Sequence, residues 1–378
     1  MAAERADAGE RGVLGFVRPE VLSLPGYVAI EPPRVLAEQM GIPLEMVAKL
    51  DANENPFGPA PKALQALAEF RDYHIYPDPD ERSLRQALAR HLNLPIECIV
   101  ASAGSDELIQ IFASMFLGPG DKAIDLIPTF GMYAFEADVA GGQTVPVQRR
   151  ADYSVDVAAV AERIDARTKL IFATSPNNPT ANLLSHDELE GLLGFGLPVV
   201  VDEAYIEFAG EPSAAPLVLE RPNLIVLRTF SKWAGLAGLR VGYAAMPAEL
   251  AEVVFRIRQP YSVNVAAEVA AVASLEDAQT LNERAALIVQ ERERLFALLS
   301  AMPFLKPRPS HTNFILCDVL RGNARQVRDR LREHGVFIRH FDTPLLRDCI
   351  RISVGLPRHT DQLIEALGGV AEALGLTY

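Results

Sequence analysis

The sequence predicts an α/β protein with two domains: a large one whose mainly parallel sheet is flanked by helices, and a smaller α+β one. In the middle of the chain, short apolar runs alternate with helical segments, as in successive βα units. These runs are apolar throughout, which is typical of strands buried on both faces. After residue 303 the pattern changes to short strands separated by helices, which predicts the second lobe.

Five apolar runs are the strands that we predict for the large sheet, and each is followed by polar residues. They are Ile99–Ala103, Ala123–Ile127, Lys169–Ala173, Leu197–Val201 and Leu224–Leu227. Right-handed crossovers place the carboxyl ends of parallel strands at one edge of a sheet. We therefore expect the five polar groups to converge at that edge, where open α/β sheets bind ligands.

Two of these groups favour an anion beside an amine. The residues Gly104 to Asp106 open a predicted helix, whose free N–H groups would bind an anion. Lys232 follows the last strand, with the hydroxyl of Ser231 before it and Arg240 eight residues later. Each of these has a plainer explanation on its own, as a helix cap or an exposed charge. The hypothesis of a site therefore depends on the groups converging.

The other three strands are followed by an aromatic ring, an amide and a carboxylate. These are Phe130, Asn178 and Asp202, and Tyr205 lies three residues after Asp202. A Gly-rich dinucleotide fingerprint and a GxxxxGK[ST] run are both absent from the sequence, so a nucleotide is not the predicted anion. The seven histidines show no paired spacing of the kind that holds a metal.

Composition excludes several classes of function. With 36 basic and 49 acidic residues, the net charge of −13 argues against general affinity for nucleic acid or anionic membranes. The three cysteines, Cys98, Cys317 and Cys349, are too few and too far apart for a disulfide framework or a zinc cluster, and they favour a reducing cytoplasm. The N-terminus lacks the apolar segment of a signal peptide, and no run of about 18 apolar residues predicts a membrane span.

We expect three parts along the chain. Residues 1–50 form an N-terminal arm that packs with the small domain, residues 51–274 form the large domain, and residues 275–378 form the small domain. Within the arm, Pro33–Met40 is a predicted helix that ends at Gly41. The segment Asp51–Pro61, which contains Asn55, is too rich in proline and asparagine for a regular element and must be an ordered loop or a hinge.

At this point the sequence resembles the class I and II aminotransferases, which are fold type I pyridoxal-phosphate enzymes, and within them the histidinol-phosphate aminotransferase subfamily. The resemblance extends from about Tyr27 to the C-terminus. It is carried by the motifs KLDANENPFGP (residues 49–59), YPDP (76–79), PTFGMY (128–133), SPNNPT (175–180), VDEAYIEF (201–208), LRTFSKWAGLAGLRVGY (227–243) and IRISVG (350–355).

The resemblance implies the cofactor pyridoxal 5'-phosphate and a role for each residue around it. Lys232 is the implied covalent attachment point, and Asp202 is implied to keep the ring nitrogen protonated. Tyr205 and Asn178 are implied to bind the ring oxygen, and Phe130 to stack on the ring. The implied ligands of the cofactor phosphate are Ser231, Arg240, the amides of Ser105 and Asp106, and Tyr76 from the neighbouring subunit of a homodimer.

The resemblance also implies a substrate site. Arg351 matches an arginine that binds the substrate carboxylate as a fork, and Arg339 and Tyr27 match positions near a distal phosphate. Asn55, in the first motif, is assigned to the same site. The implied reaction moves an amino group between glutamate and imidazole-acetol phosphate, giving L-histidinol phosphate and 2-oxoglutarate.

Three alternatives stay open from the sequence. The first is an aromatic or broad-specificity aminotransferase that uses the same site. The second is a phosphothreonine decarboxylase, which shares much of this motif set. The third, a non-enzymatic cofactor-binding regulator, is disfavoured because no helix-turn-helix module precedes Tyr27 and the chain is acidic.

Overall fold

The computed structural model describes residues 12–24 and 30–376, and these residues form two β-sheets. The strands are β1 (Ala48–Leu50), β2 (Ile99–Ser102), β3 (Lys122–Ile127), β4 (Gln143–Gln148), β5 (Thr168–Thr174), β6 (Val199–Asp202), β7 (Leu224–Thr229), β8 (Gly242–Ala245), β9 (Leu305–Pro307), β10 (Phe314–Val319), β11 (Val336–His340) and β12 (Cys349–Ser353).

Helices connect and flank these strands. They are α1 (Pro19–Leu22), α2 (Pro33–Met40), α3 (Pro61–Glu69), α4 (Arg82–Leu92), α5 (Ser105–Phe116), α6 (Met132–Ala140), α7 (Val157–Ala161), α8 (His186–Leu193), α9 (Ala248–Ile257), α10 (Val265–Glu276), α11 (Ala278–Ser300), α12 (Ala324–Glu333) and α13 (Pro357–Ala373). Short 3₁₀ turns occupy Val13–Phe16, Leu44–Met46, Ile96–Cys98, Ile206–Phe208, Ala215–Leu219 and Ala237–Leu239.

The large sheet is mainly parallel, as predicted. Its strand order is β2-β8-β7-β6-β5-β3-β4, and every pair from β7 to β4 is parallel. The strand β8 is antiparallel to both β7 and β2, so β2 runs in the same direction as β7. The carboxyl ends of the five predicted strands therefore lie at one edge of the sheet.

The central strands are buried on both faces, which explains why their sequences are apolar throughout. Val200 and Ile225, which are register partners, pack in a core with α5, α6 and α9. Their neighbours Val201 and Val226 pack in the core on the opposite face. A continuous apolar run, rather than an alternating one, is what burial on two faces requires.

Some predicted strand ends differ from the observed ones by one or two residues. Asp202 is the last residue of β6 rather than the first residue after it, because it pairs with Thr174 and Leu227. The strand β7 continues to Thr229, since that residue pairs with Gly242 of β8. The sheet hydrogen bonds therefore hold the backbone of Asp202 in a fixed position.

The small sheet has the order β1-β11-β12-β10-β9 and is antiparallel except where β1 joins β11. Through β1, residues that precede the large sheet in sequence become part of the small one. The helix α2 ends at Gly41, which has φ +64°, as expected for a glycine that terminates a helix. The division at residues 50 and 274 stays a prediction, and its second boundary falls inside α10. Among the described residues, no helix is both long and apolar enough to span a bilayer.

Candidate active site

The polar groups that follow the five strands line one cavity of about 780 Å³. Each strand contributes at least one group to its wall, namely Ser105, Phe130, Asn178, Asp202 and Lys232. Arg339 and Arg351 of the small sheet line the same cavity. The site therefore lies between the two sheets, and the convergence expected from right-handed crossovers is present.

Asp202 is a buried carboxylate that receives hydrogen bonds from two neutral donors. The Tyr133 hydroxyl donates to its Oδ2 over 2.8 Å, and the Ala204 N–H donates to its Oδ1 over 2.9 Å. Burial raises the pKa of Asp202 to about 6, against the lowering effect of these hydrogen bonds. A buried carboxylate is stabilised by a cation, and a protonated ring nitrogen would supply one.

Lys232 lies in the loop after β7, and its Nζ donates to the backbone oxygen of Ala52 over 3.1 Å. Burial and, to a smaller extent, the positive charge of Arg351 together lower the pKa of Lys232 to about 8. At pH 7 roughly a tenth of this amine is therefore uncharged. The uncharged amine is the form that attacks a carbonyl carbon.

The start of α5 and Arg240 form a cradle for an anion. The N–H groups of Ser105 and Asp106 open α5, and Arg240 Nη2 lies 2.9 Å from the Asp106 carboxylate. Two glycines leave space for Arg240 and for the first N–H group of α5. A Cβ at Gly104 would meet Arg240 Nη2 at 2.8 Å, and one at Gly242 would meet the Ser105 nitrogen at 2.5 Å.

Other predicted cofactor ligands surround the same space. The Ser231 hydroxyl accepts a hydrogen bond from Thr229 Oγ1 over 3.0 Å. The Tyr205 hydroxyl accepts one from Asn53 Nδ2 over 3.1 Å. Phe130 lines the cavity with its ring edge-to-face against Tyr133, at a centroid distance of 5.8 Å. A flat ring would therefore have an aromatic neighbour and several polar groups around its rim.

Two arginines face the cavity from adjacent strands of the small sheet. Arg339 on β11 and Arg351 on β12 are register partners. Arg351 donates to Asn178 Oδ1 over 2.6 Å and to the backbone oxygen of Asp51 over 2.7 Å. The site thus offers guanidinium groups to an acidic substrate, although the chain as a whole is acidic.

Two of the described predicted site residues, Tyr76 and Asn55, do not line this cavity. Tyr27 lies outside the described residues. Tyr76 lines a separate groove, is 81% exposed, and its ring centroid lies 5.0 Å from that of Tyr261. Asn55 requires a correction, because its side chain donates to the backbone oxygens of Lys232 and Trp233 over 3.0 and 2.9 Å. It therefore holds the lysine loop rather than presenting its amide to the cavity.

Sequence reasoning missed two residues of the site, Tyr133 and Asn53. Tyr133 lies three residues after Phe130, near the start of α6, and the two rings meet edge-to-face. Asn53 is buried at φ +54°, a conformation that asparagine tolerates better than most residues. Its N–H donates to Ser353 Oγ over 2.9 Å, a contact across 300 residues that local sequence does not reveal.

These features fit pyridoxal phosphate. The buried Asp202 carboxylate suits a protonated ring nitrogen, and the amine of Lys232 suits an aldehyde. The cradle that Gly104 and Gly242 keep open beside Arg240 suits a phosphate.

Comparison with known proteins also indicates an aminotransferase. Residues 45–367 match the family model described as aminotransferase class I and II. The histidinol-phosphate aminotransferase of Roseiflexus castenholzii is 49% identical over 95% of this chain and 99% of its own length. The chloroplastic histidinol-phosphate aminotransferase 1 of Arabidopsis thaliana is 47% identical over 93% of this chain and 85% of its own length.

A solved structure is also similar throughout. It is the crystal structure of histidinol-phosphate aminotransferase from Sinorhizobium meliloti in complex with pyridoxal-5'-phosphate. The two share 30% sequence identity and a TM-score of 0.86, over 96% of this chain and 99% of the other. The chain therefore belongs to the class I and II aminotransferase family, among the histidinol-phosphate aminotransferases.

Proposed function

We propose that this chain transfers an amino group between glutamate and imidazole-acetol phosphate, giving L-histidinol phosphate and 2-oxoglutarate in histidine biosynthesis. The observation that carries the proposal is the placement of Lys232, Asp202 and two arginines around one cavity. Pyridoxal phosphate, when bound, supplies an electron sink for the carbanion left at the substrate Cα.

Lys232 is the proton carrier in this proposal. Its Nζ, when free, would take the proton from Cα of glutamate, and in the second half-reaction it would deliver a proton to Cα of the carbon skeleton that becomes histidinol phosphate. A pKa of about 8, which burial sets, keeps the amine close enough to neutrality to accept that proton near physiological pH. Its position depends on Asn55, whose side chain donates to the backbone oxygens of Lys232 and Trp233.

Asp202 and its neighbours hold the cofactor. Asp202 would keep the proton on the ring nitrogen, and Tyr205 and Asn178 would bind the ring oxygen. Ser231, Arg240 and the N–H groups of Ser105 and Asp106 would hold the phosphate. Tyr133 would stabilise the charged form of Asp202, because its hydroxyl donates to that carboxylate.

Arg351 and Arg339 distinguish the two ends of the substrate. Arg351 would take the carboxylate common to glutamate and 2-oxoglutarate, since its guanidinium is fixed by Asn178 and the Asp51 backbone. Arg339, together with Tyr27, would lie near the distal phosphate of histidinol phosphate. Each such charge-assisted bond contributes roughly 1.5–3 kcal/mol.

We also propose a homodimer in which Tyr76 of each subunit reaches the cofactor phosphate of the other. In support, Tyr76 is 81% exposed and lies in a groove separate from the cavity of its own chain. A dimer of C₂ symmetry would complete both sites at once. Sedimentation equilibrium at several concentrations tests the assembly, and a monomer at micromolar concentration would contradict it.

The cytoplasm is our proposed location, although the similar Arabidopsis protein is named chloroplastic. In support, Cys98, Cys317 and Cys349 are all free and buried, which suits a reducing compartment. Fractionation of the source cells with compartment markers tests this proposal.

Half-reactions test the reaction most cleanly. Glutamate should convert the loaded enzyme to its amine form with release of 2-oxoglutarate. Histidinol phosphate should also convert it, with release of imidazole-acetol phosphate, and far more efficiently than phenylalanine does. A strong preference for phenylalanine would end the histidine assignment in favour of an aromatic aminotransferase. Release of carbon dioxide from phosphothreonine, without turnover of 2-oxoglutarate, would instead identify a decarboxylase.

A further inference from the structure

A buried ion pair lies outside the cavity, beneath the segment that carries Tyr76. Arg258 Nη1 is 2.6 Å from Glu81 Oε1, and the two side chains are 4% and 0% exposed. Such a pair costs desolvation energy that its own attraction often fails to recover. Among the described residues, Glu81 Oε2 has no hydrogen-bond partner, which adds to that cost. Stability alone therefore does not explain why the pair is present.

Arg258 joins three separate parts of the large domain. Besides Glu81, its guanidinium donates to the backbone oxygen of Pro79 and, over 3.5 Å, to that of Ala101 in β2. Pro79 lies three residues after Tyr76, and Ala101 lies just before the cofactor cradle at Gly104. The pair thus fixes the Tyr76 segment to the strand that leads into the phosphate site.

The surroundings hold this arrangement in one geometry. The guanidinium carbons of Arg85 and Arg258 each lie 4.4 Å from the centroid of the Phe255 ring. Glu81 has φ +43°, a left-handed conformation that costs energy for a residue other than glycine. The chain adopts that conformation at the position from which the Glu81 carboxylate meets Arg258.

The two segments that the pair joins also carry two tyrosines in contact. Tyr76 lies five residues before Glu81, and Tyr261 lies three residues after Arg258. Their ring centroids are 5.0 Å apart. The buried ion pair therefore lies beneath two exposed tyrosine rings. This arrangement presents the Tyr76 side chain to another molecule.

We propose that Glu81 and Arg258 are positioning residues that hold Tyr76 where it can reach the cofactor phosphate in the other subunit. The inference depends on the proposed dimer and adds to it, because it assigns a function in one subunit's site to a buried pair in its partner. Loss of the pair should then weaken cofactor binding in the opposite subunit and leave the site of its own subunit intact.

Mixed dimers test this directly. Two differently tagged chains are co-expressed and purified through both tags. Pyridoxal phosphate is titrated in, and borohydride reduction followed by intact-mass analysis counts the Lys232 chains that carry it. In homodimers, Glu81→Gln should weaken cofactor binding about tenfold or more, as expected for a lost charge-assisted interaction. Thermal unfolding and dimer mass are recorded for each variant.

Two arrangements of the mixed dimer give opposite results. When Glu81→Gln and Lys232→Ala are on different chains, the remaining Lys232 site uses Tyr76 from an unaltered segment, so binding should return to the wild-type value. When both substitutions are on one chain, the other chain is wild type and yet its site should bind about tenfold more weakly. The inference is overturned if binding is weak when the substitutions are on different chains and normal when they are on one chain. Wild-type binding by the Glu81→Gln homodimer overturns it as well.

Three further variants complete the design. Tyr76→Phe in the same two arrangements tests the proposed dimer itself, so a trans effect for Tyr76→Phe without one for Glu81→Gln overturns only this inference. Glu207→Gln is the matched control, because it breaks an equally short buried pair with Arg228, at 2.6 Å, far from the Tyr76 segment in sequence. Any defect it causes should stay with its own chain. If Glu81→Gln does not fold, Arg258→Lys takes its place and must show the same trans pattern.

Discussion

The hydroxyl of Tyr133 donates a hydrogen bond to Oδ2 of Asp202 over 2.8 Å, and both groups are buried at the cavity wall. Tyr133 is held by its ring, which stacks on Phe172 of β5 at a centroid distance of 4.8 Å. The carboxylate that would face the cofactor ring nitrogen is therefore oriented by a side chain that is itself fixed in the core.

Tyr133→Phe should lower kcat while leaving the KM for glutamate nearly unchanged. The hydroxyl lowers the pKa of Asp202, so its loss lets burial raise that pKa further and weakens the hold on the ring nitrogen. Loss of one hydrogen bond to a charged group corresponds to roughly a tenfold change in rate. Steady-state kinetics measure both parameters. Tyr243→Phe, at another buried tyrosine, is the control and should change kcat much less.

Cofactor binding should weaken as the pH falls below about 6. Burial raises the pKa of Asp202 to about 6 in the cofactor-free protein, so the carboxylate that would pair with the protonated ring is present above that pH and is lost below it. The dissociation constant should rise by up to about tenfold per pH unit in that range. The Asp202→Asn protein should bind the cofactor more weakly at all pH values. Its dissociation constant should not show this rise as the pH falls below 6. Parallel curves for the two proteins would show that another group is responsible.

Arg351→Ala should raise the KM for glutamate far more than Ser231→Ala does. Arg351 is proposed to bind the substrate carboxylate, and losing its fork would raise KM roughly 10- to 150-fold. Ser231 is one of several groups proposed to hold the cofactor phosphate, so its loss should weaken cofactor affinity instead. Kinetics at saturating cofactor separate the two effects, and equal changes in KM would contradict the division of roles.

Asn55→Ala tests whether Asn55 holds the Lys232 loop in place rather than binding substrate. The side chain satisfies two backbone oxygens of the Lys232 loop and receives the Phe57 N–H over 2.9 Å. Its removal should cost about 1–3 kcal/mol of unfolding free energy and lower kcat through the misplaced lysine. Urea unfolding and kinetics measure these effects. A selective rise in substrate KM, with stability unchanged, would restore Asn55 to the substrate site.

The sequence revealed the strands and the residues at their carboxyl ends because those signals are local. An uninterrupted apolar run such as Leu224–Leu227 predicts a doubly buried strand, and chain chirality then places Asp202 and Lys232 at one edge. The role of Asn53 was not predictable, since it depends on a contact between the loop after β1 and Ser353 of β12. Asn55 shows that a motif residue can also be assigned wrongly. It lies two positions after Asn53 in the same motif, yet its amide donates to the backbone of the Lys232 loop.

The strand partner of β1 was also not predictable, although residues 1–50 were expected to pack with the small domain. A short strand, β1, leaves its sequence neighbours and pairs in parallel with β11 of the small sheet. Hydrophobic periodicity reports which face of an element is buried but not which partner covers it. The partner of a three-residue strand is therefore found only in the folded structure.

The account depends most on Lys232 being the residue that binds pyridoxal phosphate covalently. Borohydride reduction of the loaded protein, followed by peptide mass analysis, measures this directly. The account predicts that the reduced cofactor is found on the peptide containing Lys232 and that Lys232→Ala loses both the adduct and the visible absorbance band. An adduct on another lysine, or retention of the reducible band in Lys232→Ala, would contradict it.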